Sequence, residues 1–379
     1  MNYLLSRKEI FAALALVICL YCLALVAFHI EGRSLVEGDT PTYLQAIQVL
    51  GGTHPPADFM PNRILTSFLS LESVRVLAAF TGNPLSAWFA LNSLFFFALG
   101  LLSFVFFMRL FENRTTAFLG TIAIVGNYDV YAFGIRYLMD IGGYAFYLAS
   151  ILALLFYVDR KDRRFLFVAV ACASVGGLFK EYAFVALLPI AIVLIVEHGR
   201  NFVALVRASW LPALIACIPV ALVHTAVFLT YHYTYLDWYR YNTHQYAYHA
   251  QFSESVKSVG ATLQLLLIPA VLGVFYFLRS YQKIELDRRT FLLSIIPPAF
   301  VALAWPSVTE RLMFLAVPTA AVFACLFFKR HGSWWPIYML GAAVYVAIAF
   351  TTDSFTLSAM HDVLHLWAPE MMMRVRSIL

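Results

Sequence analysis

Charged side chains are scarce in this chain, and this scarcity is the first constraint on its fold. Only 12% of the 379 residues are Asp, Glu, Lys or Arg, whereas 62% are hydrophobic. Soluble domains carry about 25% charged residues, so the composition excludes an ordinary soluble protein and predicts a polytopic membrane protein. The net charge of +5 gives no indication of nucleic-acid binding.

Cysteine is also rare. The 5 cysteines lie in apolar stretches and their number is odd, so we predict no disulfide framework and interpret them as packing residues. The chain shows neither an internal repeat nor a low-complexity tract. We therefore expect residues 1–379 to form one all-α membrane domain without a separate soluble domain.

Apolar segments long enough to span a bilayer recur along the chain. Counted at roughly 20 residues each, they give about 11 spans. They lie at 9–30, 84–108, 115–134, 141–158, 165–179, 182–197, 210–230, 259–279, 290–305, 311–328 and 334–350. Arg7 and Lys8 precede the first segment, which lacks a small-residue cleavage site, so we expect a retained span and a cytoplasmic N-terminus.

Basic residues orient these spans, because Lys and Arg favour cytoplasmic loops. With the N-terminus inside, most of the 26 Lys and Arg lie inside and most of the 21 acids lie outside. This assignment requires 165–197 to be two short helices that meet at Lys180 and Glu181, an ion pair too costly to face lipid. It also requires 62–80 to be an interfacial or dipping helix.

Most of the unusual polar residues then face outward. They occupy a first extracytoplasmic loop at 31–83 with short interfacial helices, an aromatic loop at 231–258 and an external tail at 351–379. The aromatic loop is typical of an interfacial belt, or alternatively of a surface that stacks on sugar or lipid. In the tail, His361, Asp362 and His365 have helical spacing for a metal, although a surface-lying amphipathic helix is favoured.

Asp39, before Thr40 and Pro41, allows two compatible interpretations. It has the signature of a helix N-cap. It is also a candidate general base just outside the membrane, with Glu37 near enough to raise its pKa. Beyond the predicted helix, prolines around His54 predict a stiff loop.

Three outward arginines also have alternatives. Arg63 and Arg311 are either phosphate ligands or anchors that extend to lipid headgroups. Arg136 precedes Asp140 by four residues, which is the spacing of an exposed helical ion pair. The two glycines after Asp140, at 142 and 143, permit the close approach of a neighbouring helix or ligand.

The chain resembles the GT-C class of membrane glycosyltransferases through an ordered set of short motifs. They are the stretch from Gly38 to Tyr43, then 61–65, Asp140 at the start of a span, 178–181, and Glu310-Arg311. The resemblance implies that Asp39 is the catalytic base and that Lys180, Arg311 and Arg63 contact the donor phosphate. Sugar- or acceptor-binding roles are expected for Glu181, Glu37, Tyr43, His54, Arg136, Asp140 and Glu310, and Glu181 alternatively orients Lys180.

The predicted function is therefore inverting transfer of a hexose or pentose from a polyprenyl-monophosphate donor. The acceptor would be a glycan, lipid or protein at the outer face of a bacterial inner membrane. Two alternatives stay open: a polymerase or ligase with a diphosphate donor, and a transporter or flippase of lipid-linked glycans. No cofactor is predicted, because no ligand set has convincing spacing, and a need for Mg or Mn is left open.

Overall fold

The computed structural model describes residues 6–36, 38–56, 59–245, 252–301 and 310–352, and the side chains of 245, 252–257 and 310 are left out of this description. Within these ranges the chain is almost entirely helical and contains no strand. Glu37 and the tail residues His361, Asp362 and His365 lie outside the described residues. The all-α fold class predicted from the sequence is confirmed.

The α-helices of the described residues, in chain order, are α1 (Arg7–Ile30), α2 (Thr40–Leu50), α3 (Asn62–Thr81), α4 (Pro84–Phe111), α5 (Arg114–Val125), α6 (Asp140–Arg160), α7 (Arg163–Phe179), α8 (Leu187–His198), α9 (Phe202–Tyr231), α10 (Tyr235–Gln245), α11 (Phe252–Leu263), α12 (Leu267–Ser280), α13 (Leu286–Ser294), α14 (Pro297–Val301), α15 (Glu310–Met313), α16 (Val317–Arg330) and α17 (Trp335–Thr351). A short π-helix (Val130–Gly134) precedes α6, and a 3₁₀ segment (Glu181–Ala186) precedes α8.

In the described part of the chain, 9 helical segments are long and apolar enough to cross a membrane. Eight of them correspond to predicted spans and the ninth is α3. Three of the about 11 predicted spans therefore have no counterpart among these long helical segments. The predicted spans 115–134 and 165–179, and the described part of 290–305 up to residue 301, form shorter helices. The first is interrupted at Gly126, before the π-helix, and the last is interrupted before Pro297 and Pro298.

The loops that the sequence assigns to one membrane face meet at one end of the helical bundle. We call this the charged end, and its ion pairs are Arg114–Glu9 (2.5 Å), Arg109–Asp159 (2.7 Å), Lys161–Glu197 (2.5 Å), Lys161–Asp287 (3.0 Å), Arg288–Glu112 (3.7 Å) and Arg288–Asp159 (3.9 Å). The pairs join α1 to the start of α5, the end of α4 and the turn after it to α6 and α13, and the turn after α6 to α8 and α13. The loops therefore share one side, as the charge pattern requires.

Helices α7 and α8 form the predicted hairpin. α7 ends at Phe179, Lys180 is extended (φ −159°, ψ 124°), and the 3₁₀ segment starts at Glu181. Lys161 just before α7 pairs with Glu197 near the end of α8. Since both outer termini of the hairpin lie at the charged end, Lys180 must lie at the opposite end of the bundle.

Helix α3 has the length and composition of a span, but its surroundings argue that both its ends lie opposite the charged end. Its second residue, Arg63, contacts Asp39, which follows the far end of α1. Its last residue is followed almost at once by α4, whose other terminus lies at the charged end. The chain therefore returns to the side from which it entered α3, which is the geometry expected of a dipping helix.

This geometry predicts the labelling of single cysteines placed around α3 in a background without native cysteine. Thr53→Cys before α3 and Thr81→Cys after it should react with a membrane-impermeant thiol reagent from the same side. Arg200→Cys, in the exposed turn after α8, should react only from the other side. Reaction of Thr81→Cys together with Arg200→Cys would show that α3 crosses the membrane.

Candidate active site

The carboxylate of Asp39 bridges two arginines from distant parts of the chain. Its Oδ1 accepts a hydrogen bond from Arg63 Nη2 at 2.6 Å, and its Oδ2 accepts one from Arg311 Nη1 at 2.8 Å. We call these three residues the carboxylate-arginine triplet. Asp39 occupies the N-cap position of α2, but its side chain makes no capping hydrogen bond. The helix-capping interpretation of this side chain is therefore wrong, because the arginines take both oxygens.

Helix α2 is fixed in place by its own first turn. Pro41 suits the first turn of a helix because it lacks the N–H that would be unpaired there. The Thr40 hydroxyl donates to the carbonyl of Tyr137 at 3.1 Å. An apolar cluster that includes Ile64 and Trp88 packs α2 and α3 onto α4. Asp39 thus projects from a well-anchored loop-to-helix junction.

The side chain of Tyr43 contacts the positively charged groups of Arg63 and Lys180. Its side chain is 0% exposed and its ring meets the Trp88 ring edge-on at 5.8 Å. The Arg63 guanidinium lies over the Tyr43 ring at 4.7 Å, and Lys180 Nζ donates to the Tyr43 hydroxyl at 3.2 Å. Complete burial suits a positioning role for Tyr43 better than direct contact with a sugar.

Lys180 lies beside the triplet in a tightly packed environment. Its Nζ is 3.3 Å from Glu181 Oε2, and its side chain is only 8% exposed. A Cβ placed on Gly143 would approach the Lys180 Cβ to 2.7 Å, so this glycine does permit the predicted close approach. The Lys180 side chain is therefore a buried cation at the end of the bundle opposite the charged end.

Asp140 and Arg136 do not form an exposed helical pair, contrary to one sequence interpretation. Asp140 is the first residue of α6 and is fully buried, whereas Arg136 precedes the helix and lies over the Phe28 ring at 5.5 Å. The Tyr182 hydroxyl donates to the Asp140 carbonyl at 2.8 Å. No described residue donates a hydrogen bond to Asp140 Oδ2. This leaves a buried acceptor at the start of α6.

The remaining predicted residues are less informative. His54 is exposed in the loop after α2. Glu310 begins α15 and is described only through its backbone. The sequence interpretation missed Thr42, which accepts from Arg63 Nε at 3.1 Å, and Phe133, whose ring lies 5.3 Å from the Arg311 guanidinium. Thr42 belongs to the recognised Gly38–Tyr43 motif, but no sequence signal marks Phe133.

Opposing effects set the pKa of the Asp39 carboxyl group. Burial raises the pKa, but the charges of Arg311 and Arg63 outweigh burial and hold it at about 2 instead of the ordinary 3.8. Asp39 is therefore ionised at neutral pH and neutralises part of the charge of the arginines.

An apolar cavity of 290 Å³ adjoins the cations. Glu181 and Leu312, the neighbours of Lys180 and Arg311, line it together with Leu178, Val185, Val220 and Leu315. The arrangement places a buried cationic site beside a volume suited to hydrocarbon. Among the residues that the structure describes, no three His, Cys, Asp or Glu side chains converge as a metal site.

Residues 98–226 match the model of the dolichyl-phosphate-mannose-protein mannosyltransferase family. The matched segment runs from within α4 to the end region of α9 and includes Arg136, Asp140 and Lys180, whereas Asp39, Arg63 and Arg311 lie outside it. The family is one of GT-C type membrane glycosyltransferases, so the match confirms the resemblance found from the motifs. It indicates an integral membrane glycosyltransferase dependent on polyprenyl-phosphate sugars. No curated protein matches the chain.

The triplet predicts a specific dependence of stability on pH. Since the folded pKa of Asp39 lies below its unfolded value, the stabilisation is complete above about pH 4 and is lost as the pH falls towards about 2. The stabilisation is at most about 2 kcal/mol. In thermal unfolding between pH 7 and 3, the advantage of wild type over Asp39→Asn should shrink on acidification. An advantage that does not change with pH would contradict this assignment.

Proposed function

We propose that this protein transfers a sugar from a polyprenyl-monophosphate donor to an acceptor hydroxyl, with inversion at the anomeric carbon. The observation that carries the proposal is that Arg63 and Arg311 both bind one carboxylate, Asp39, with Lys180 joined to them through Tyr43, at the edge of an apolar cavity. Cations suit a phosphate leaving group, a carboxylate suits proton removal, and the cavity suits a hydrocarbon tail.

The donor would bind with its phosphate on the three cations. Arg63 and Arg311 offer planar guanidinium groups that match phosphate oxygens, and Lys180 adds a compact charge. The isoprenoid chain would leave the phosphate through the cavity between Leu178, Val220 and Leu315. The anomeric carbon would then lie near Asp39.

In the transfer step, Asp39 would accept the proton of the acceptor hydroxyl while that oxygen attacks the anomeric carbon. The bond from the anomeric carbon to the phosphate oxygen breaks, and polyprenyl phosphate leaves with the bonding electrons. Arg63, Lys180 and Arg311 stabilise the negative charge that develops on the phosphate. Attack from the face opposite the leaving group inverts the anomeric configuration.

The finer assignments follow from the same arrangement. The carboxylate of Glu181, which lines the cavity, is an acceptor suited to a sugar hydroxyl. Asp140 is as fully buried as Tyr43 and suits a positioning role for the same reason. Glu37, His54, Arg136 and Glu310 are further candidates for sugar or acceptor contacts. We propose a hexose or pentose as the sugar and a glycan, lipid or protein as the acceptor, at the periplasmic face of a bacterial inner membrane. The charged end would then face the cytoplasm.

Asp39→Asn should lower transfer by roughly 10²–10⁴-fold, the usual contribution of a general base, without loss of donor binding. The measurement is a lipid extract of deletion-strain cells that express each variant. Cells with Asp39→Asn should accumulate a sugar phospholipid that wild type consumes. Glu72→Gln is the matched control, because Glu72 pairs with Arg75 in α3 and not with the carboxylate-arginine triplet. Normal consumption by Asp39→Asn would refute the assignment of the base.

Lys180→Ala should act on the donor instead. Loss of a charged phosphate contact is expected to raise the KM for the donor by about 10- to 100-fold, because the other two cations stay in place. The measurement is initial rate against donor concentration in detergent, with Lys283→Ala, an exposed residue beyond α12, as the control. An unchanged KM would remove Lys180 from the donor site. A diphosphate-linked donor used in preference to the monophosphate would favour a polymerase or ligase.

A further inference from the structure

The carboxylate-arginine triplet contains a conflict between two roles. Arg63 and Arg311 each direct a terminal nitrogen at a different oxygen of Asp39. A donor phosphate on the same two guanidinium groups would need those nitrogens. At the same time a carboxylate whose two oxygens both accept charged hydrogen bonds is a poor base, because those bonds favour its ionised form. The observed arrangement therefore suits neither donor binding nor proton removal.

We infer, on the basis of the proposed function, that Asp39 occupies the place of the donor phosphate in the donor-free protein and that the arriving lipid phosphate displaces it. Displacement gives the arginines to the phosphate and frees the carboxylate to face an acceptor hydroxyl. The donor must then bind before the acceptor can react. Donor binding itself produces the competent base.

The arginines have supports that do not depend on the carboxylate of Asp39. Arg63 Nε donates to the Thr42 hydroxyl, and its guanidinium rests on the Tyr43 ring. Arg311 lies over the Phe133 ring, and its carbonyl accepts from the Tyr144 hydroxyl at 3.0 Å. When the carboxylate moves away, both guanidinium groups therefore remain where a phosphate would meet them.

Asp39 has room to move. Its side chain is 25% exposed and makes no capping hydrogen bond that movement would break. A Cβ added to the preceding Gly38 would meet no atom within 4 Å, so the adjoining backbone borders open space. The low pKa of Asp39 agrees with this account, since the same two charges that hold it low would turn to the phosphate.

The test is the affinity of the full chain in detergent for polyprenyl monophosphate, which carries the phosphate and tail without a sugar. If Asp39 competes with the phosphate, the affinity of Asp39→Asn for this lipid should be at least about tenfold higher than that of wild type, because a charged competitor has been removed. Asp39→Ser, with a smaller neutral side chain, should change the affinity in the same direction. Glu72→Gln, which removes a carboxylate from α3 outside the triplet, should leave it unchanged.

The outcomes separate this inference from the function on which it rests. Equal or weaker binding by both Asp39→Asn and Asp39→Ser overturns the displacement, even if both variants fail to transfer sugar. Tighter binding by both, with Glu72→Gln unchanged, supports it. Wild-type transfer activity in Asp39→Asn overturns the proposed base, whatever the affinity for the lipid phosphate.

Discussion

The charge balance around Asp39 is the interaction on which the end of the bundle opposite the charged end depends. One carboxylate joins Arg63, 24 residues away in sequence, to Arg311, 272 residues away. Guanidinium groups this close would repel one another without an anion between them. The triplet therefore joins the first loop to α15, and a ligand can take the place of the carboxylate only if it also brings negative charge.

The opposite end of the bundle uses charge differently. There, acids and bases from α1, α4, α5, α6, α8, α13 and the turn after α6 pair with one another, which brings these helix termini to one side. These ion pairs involve neither the triplet nor Lys180. Loss of the contacts between Asp39 and the arginines would leave them intact. The displacement proposed for Asp39 would therefore change ion pairs at one end of the bundle only.

The sequence was most informative about features that follow from the cost of placing charged residues in lipid. The cost of burying Lys180 and Glu181 in lipid, combined with the basic loops, predicted the break between α7 and the 3₁₀ segment and the common side of the charged loops. The resemblance implied that Asp39 and the three cations belong to one site, but it did not predict that Asp39 bridges Arg63 and Arg311. Asp39 has an ordinary capping signature, and only tertiary packing brings Arg311 to it. The pairing expected of Arg136 and Asp140 failed for a similar reason, because α6 starts at Asp140 and leaves Arg136 outside the helix.

The central claim is that lipid phosphate binds where Arg63, Lys180 and Arg311 converge. The most direct measurement is a cryo-EM structure of the protein with bound polyprenyl monophosphate. The account predicts phosphate oxygens within hydrogen-bonding distance of Arg63, Lys180 and Arg311, hydrocarbon in the cavity beside Leu178, and Asp39 turned away from the arginines. A phosphate bound elsewhere, with Asp39 still bridging both arginines, would contradict it.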